Sequence, residues 1–174
     1  MGGAKTTSRL TPAGAKLMGT LQALKSKPAV KVGVLSRDFN QPKATEGVGR
    51  NAKPTQFGKS ASLGEVAIYN EFGTEHTPER SFIRACVDEN QAKWRKFADE
   101  LRKKIIFEGW STDRALGVMG LRIQRDIQAK MRSDIGPPNA PSTLAAKAPK
   151  TKTLINTGQL VNSIAWELMR AHAA

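Results

Sequence analysis

A chain of 174 residues fits one domain around a single core. Its 28 Lys and Arg outnumber 15 Asp and Glu for a formal net charge of +13, so its surface attracts polyanions: nucleic acid, an acidic membrane or an acidic protein. A single cysteine excludes an intrachain disulfide, and no run reaches the roughly 18–20 apolar residues needed to span a bilayer.

Residues 1–10 are small, polar and basic and read as a flexible N-terminal tail. No apolar segment of signal-peptide length follows them, so neither signal-directed export nor membrane insertion is expected. From there, residues 11–170 read as one α+β domain, with 171–174 as a C-terminal tail. An apolar fraction of 39% with 15 Gly and 9 Pro predicts long irregular segments, so neighbouring subunits are expected to supply part of the stability.

Leu17, Met18, Leu21 and Leu24 recur at helical spacing, which predicts a first helix over 12–25 with Pro12 near its start. Val30, Val32 and Val34 alternate along 29–35 and predict a strand. Residues 36–62 combine Gly, Pro, Lys and Arg with little apolar content and read as a long basic loop. Leu63 to Phe72 reads as a short helix stopped by Gly73, with a strand as the competing reading.

Residues 79–108 give the longest helical pattern. Trp94, Phe97, Leu101 and Ile105 share one stripe, while Lys93, Arg95, Lys96, Arg102, Lys103 and Lys104 fall mostly elsewhere. Those cations form either a solvated face or a contact for a polyanion. After Gly109, a second long helix starts at Ser111 or Thr112 and carries Leu116, Met119, Ile123, Ile127 and Met131. The short link predicts antiparallel packing of the two. Gly136 to Pro141 is a break, Ser142 is the expected cap of a short helix over 143–147, and Asn156 or Thr157 that of a helix through Ile164. Ala165 to Leu168 reads as a final strand.

Chemical motifs are sparse. His76 lies near Glu71, Glu75 and Glu79, but His172 is the only other histidine and no metal-ligand spacing occurs. Gly47-Val48-Gly49 lacks the later Gly of a dinucleotide loop, and Gly58-Lys59-Ser60 has Lys53 where a phosphate loop needs Gly. Neither catalytic residues nor a metal or cofactor is expected. Cys86 reads as buried filler.

Two separated stretches carry more. Asn70, Glu71, Phe72 and Gly73 are followed by Arg80 and Phe82; later come Thr143, Lys147, Leu154, Ile155, Thr157, Gly158, Leu160, Ser163 and Ile164. In this order the pair resembles the neck and tail-completion proteins of long-tailed bacteriophages, over about residues 63–168, with Ser81 where that family carries Pro. The resemblance implies a small antiparallel sheet packed against long helices. It also implies a non-enzymatic virion protein, made in the bacterial cytoplasm, that forms a six- or twelvefold ring at the head–tail junction or tail top. Adjacent neck, tail-tube or connector proteins would be its partners, with non-specific contact to genomic DNA and none to a membrane. A tail-terminator ring is the nearest structural rival, and a nucleic-acid-binding protein the alternative of a different class. Physically, Gly73 and Gly158 suit tight turns, Phe72 and Phe82 suit core anchors, and Glu71 and Arg80 suit an ion pair, within one chain or across a ring interface.

Overall fold

Valine alternation becomes the first strand, β1, Ala29–Val34, in which Val30, Val32 and Val34 are half-buried, Ala29 and Lys31 exposed, and Gly33 buried. The computed structural model describes residues 28–35, 62–147, 152–155 and 158–169, together with Thr11, Pro12, Gly14, Ala15, Met18, Gly19 and Gln22. The expected tails and, apart from Ser62, the basic loop over 36–62 lie outside these residues. Pro12, Gly14, Ala15, Met18, Gly19 and Gln22 are helical, and the Thr11 hydroxyl accepts from the Gly14 N–H at 3.2 Å.

Helix α1, Leu63–Phe72, opens on a reciprocal cap. The Glu65 N–H donates to the Ser62 hydroxyl at 3.3 Å, and the Ser62 N–H donates back to the Glu65 carboxylate at 2.7 Å. Gly73 ends α1 at φ 74°, and a Cβ there would stand 2.9 Å from the Glu79 nitrogen. Only glycine fits that approach.

Helix α2, Ile83–Phe107, begins four residues later than its pattern predicts, because its amides are capped from outside the helix, as described below. Helix α3, Thr112–Arg132, starts as expected, with the Ser111 hydroxyl accepting from the Arg114 N–H at 3.2 Å. The two are antiparallel and tied along their length. Glu89 pairs with Lys130, the Trp94 indole N–H donates to Asp126 at 2.8 Å, and the Arg122 guanidinium lies 5.9 Å from the Phe97 ring.

Helix α4, Pro141–Lys147, starts two residues before the expected Thr143, so Ser142 lies inside it rather than at its cap. Proline at a first helical position sacrifices no hydrogen bond. Helix α5, Gln159–Ser163, is preceded by Gly158 at φ 79° in the capping position. Asn156 and Thr157, the expected caps, lie outside the described residues. The helix stops at Ser163, and Ile164 already belongs to the last strand, β2, Ile164–Met169.

β1 and β2 pair antiparallel with Val30 opposite Leu168, Val32 opposite Trp166 and Val34 opposite Ile164. On the outer face Lys31 and Glu167 form a cross-strand ion pair at 3.5 Å. Helix α3 covers both strands. The fold is therefore α+β: a small antiparallel sheet packed against two long helices. Trp166 lies against Gly117 and Gly120 of α3; a Cβ on Gly120 would fall 2.8 Å from the indole and 2.8 Å from Val30. Phe82, Cys86, Ile127, Met131, Val161 and Ile164 form the heart of the core. Cys86 is fully buried, as expected of filler, and burial pushes its thiol pKa up.

Candidate functional site

The first motif builds a joint between two helices. Glu71, in the last turn of α1, is only 5% exposed, and its carboxylate reaches the start of α2. Phe82 and Ile83 donate their backbone N–H groups to Oε2 at 2.8 and 2.9 Å; Arg84 donates its own to Oε1 at 3.0 Å. The Ser81 hydroxyl adds a bond at 2.8 Å and the Arg84 side chain another at 3.1 Å. Phe82, in the capping position, offers no side-chain acceptor, so Glu71 supplies the cap from a different helix. A carboxylate there meets both the unpaired amides and the positive end of the helix dipole. Burial pushes the Glu71 pKa up, but the bonds from Ile83, Arg84, Ser81 and Phe82 outweigh it and leave the pKa lowered.

The expected Glu71–Arg80 pair is not made within the chain. Arg84 takes that role, bound also to the Glu71 carbonyl at 2.6 Å and to Glu79 at 2.7 Å. The second correction concerns Phe72. It is 61% exposed rather than anchored in the core, because its place near the end of α1 points it outward, where the Arg84 guanidinium covers its ring at 4.7 Å. Phe82 is fully buried, as expected.

Arg80 instead reaches across the fold. Thr74 and Thr77 close a turn through reciprocal backbone bonds, and the Arg80 N–H returns to the Asn70 carbonyl at 2.7 Å. The Asn70 side chain donates to the Val66 carbonyl at 2.7 Å. The Arg80 guanidinium, 6% exposed as a residue, then donates Nε to the Pro137 carbonyl at 2.9 Å and Nη2 to that of Pro138 at 3.2 Å. Burial lowers its pKa.

The two motifs, more than 60 residues apart in sequence, meet at one cleft of about 630 Å³. Leu63, Val66 and Asn70 of α1 line it with His76, Thr77, Pro78 and Arg80. Asn139, Ser142 and Thr153 face them, with Thr143, Leu154, Gly158 and Leu160 from the second motif. Leu160 is buried, and its carbonyl accepts from the Ser163 hydroxyl at 2.8 Å. Ile155 packs on the core, Ile164 lies within it, and Lys147 closes α4. Thr157 lies outside the described residues. Thus Asn70, Arg80, Gly158 and Leu160 come together at the cleft, while Glu71, Phe82 and Ser163 hold the frame around it.

The basic residues of α2 lie elsewhere. Lys93, Arg95, Lys96, Arg102 and Lys103 are exposed, and Arg102 pairs with Asp99 at 2.8 Å. Lys104 is half-buried, bonded to Glu108 at 3.1 Å and set 5.1 Å from the Trp110 ring. Among the described residues no three His, Cys, Asp or Glu side chains group as metal ligands, and no helix is long and apolar enough to cross a membrane.

Sequence reasoning missed Arg84, the Trp166 notch, and Gln124 and Gln128. These glutamines donate to the Ile164 and Val161 carbonyls at 2.8 and 3.1 Å, where α5 gives way to β2. The signal for the notch was present: Gly117 and Gly120 interrupt a strong helical pattern, which usually marks a close approach. Comparison with known proteins finds no matching family model, curated protein or solved structure.

Proposed function

We propose that this chain is a non-enzymatic structural virion protein of a tailed phage, forming or completing the neck or the top of the tail by closing into a ring. What supports this reading most is the convergence of the resemblance-bearing residues. Asn70, Arg80, Thr143, Leu154, Gly158 and Leu160, read from two distant motifs, line one cleft. Their neighbours Glu71, Gly73 and Ser163 are spent on caps and turns, which is the work of a rigid docking scaffold. In a ring, each subunit would present this face in one fixed orientation to the adjacent neck, tail-tube or connector layer.

Negative-stain imaging of purified virions, labelled through an antibody to this protein, tests the reading. Label at the head–tail junction is the expected result; unlabelled virions with free protein in the infected cell would reject it. The exposed cations on α2 favour a second reading, nucleic-acid binding. That reading requires duplex affinity that falls steeply between low and moderate salt without any phage partner.

A further inference from the structure

We propose that the cleft beside Arg80 docks an acidic segment of a partner protein, whose Asp or Glu carboxylate pairs with the Arg80 guanidinium. Arg80 is 6% exposed yet has no carboxylate partner among the described residues. Its two bonded donors meet carbonyl dipoles, which satisfy hydrogen bonds but supply no counter-charge. A cation held this far from water gains most from an opposite charge. Of the acidic groups near it in sequence, Glu71 is engaged with the start of α2, Glu79 pairs with Arg84, and Glu75 forms no ion pair with Arg80. Among the described residues no carboxylate reaches Arg80, and the proposed partner supplies that counter-charge.

The surroundings fit a short extended peptide. Asn70, Thr77 and Thr143 offer amide and hydroxyl groups, while Leu63, Val66 and Leu160 offer apolar contact. A cleft of about 630 Å³ lies within the range, roughly 300–1,000 Å³, that encloses a ligand of a few residues. The overall charge selects the source. At +13, the chain attracts an acidic partner over distance. Lysine would not replace Arg80, because a single ammonium cannot hold both proline carbonyls in the guanidinium geometry and also pair with a carboxylate.

The inference builds on the reading of the chain as an assembly protein, but its test reads binding alone. A negative result removes the cleft site and leaves the virion-labelling result unaffected. The full chain, labelled with nitrogen-15, is titrated with two blocked peptides, acetyl-Ala-Val-Glu-Val-Ala-amide and its Gln counterpart, at matched ionic strength. The Glu peptide is expected to shift the Arg80 Nε–H and the Asn70, Thr143 and Leu160 amides saturably, roughly tenfold more tightly than the Gln peptide. R80K is expected to abolish that preference; should R80K not fold, the two peptides on the native chain decide alone. Equal affinity for both peptides, or no saturable shift, would overturn the proposal. So would sodium acetate reproducing the response in full, which marks a simple anion site. Shifts of the same resonances with protein concentration alone would assign the cleft to a second copy and overturn it as well.

Discussion

Glu71 accepts from three consecutive backbone amides and two side chains, and it does so while buried. Replacing it with glutamine removes the charge and puts a donor where acceptors are needed. E71Q is expected to cost about 2–3 kcal/mol and to lower Tm by roughly 5–10 °C, read by calorimetry. The pH dependence has a definite sign. The folded pKa lies below the ordinary carboxylate value of 4.5, so the stabilisation is fully present above 4.5 and is lost as pH falls through the lower folded value. The urea-midpoint difference between the native chain and E71Q should therefore be flat above pH 4.5 and shrink below it. The two glycines facing Trp166 differ in a checkable way. At Gly120 a Cβ meets the fused part of the indole and Val30, both at 2.8 Å, and cannot be accommodated without moving the sheet. At Gly117 it meets only the far edge of the ring at 3.2 Å. G120A should cost about 1–3 kcal/mol, whereas the helix preference of alanine offsets the crowding in G117A and leaves it near neutral.

At the scale of elements, the α2–α3 pair was legible because its apolar residues repeat at helical spacing and because Ser111 announces the second helix. β1 was legible from its valines. The start of α2 was not, since its cap arrives from Glu71, eleven residues before Phe82, and no local pattern encodes a donor–acceptor match made across a turn. For the same reason the within-chain form of the expected Glu71–Arg80 pair failed: spacing places two charges in one neighbourhood but leaves their directions open. The Ser62–Glu65 capping box was readable and straddles the boundary between the expected loop, which ends at Ser62, and the expected helix. The cleft was legible only as two motifs; their meeting depends on how the 133–140 segment brings Ser142 and Thr143 to the same cleft as α1. Between the long helices, the Trp94–Asp126 bond is the one indole contact linking them among the described hydrogen bonds. W94F keeps an aromatic ring and removes that bond, so it should lower stability by about 1 kcal/mol in denaturant titration while leaving the fold's circular dichroism unchanged.

For the whole molecule, the length of α2 sets the scale. Its 25 residues rise about 37 Å from Ile83, beside Arg80, to Phe107, which is 81% exposed next to Ile106 at 58%. Helix α3 runs back alongside and stiffens the whole length. Substitutions at the two ends share no neighbours, so the stability effects of R80K and F107S should add within about 0.5 kcal/mol in a double-mutant comparison. The hairpin thus forms a strut with the cleft at one end and an apolar tip at the other. Were a neighbour to seat in the cleft as proposed, it would fix not only its own position but also the direction in which that distant tip points, so orientation set by one contact would be delivered across the molecule to whatever the tip meets.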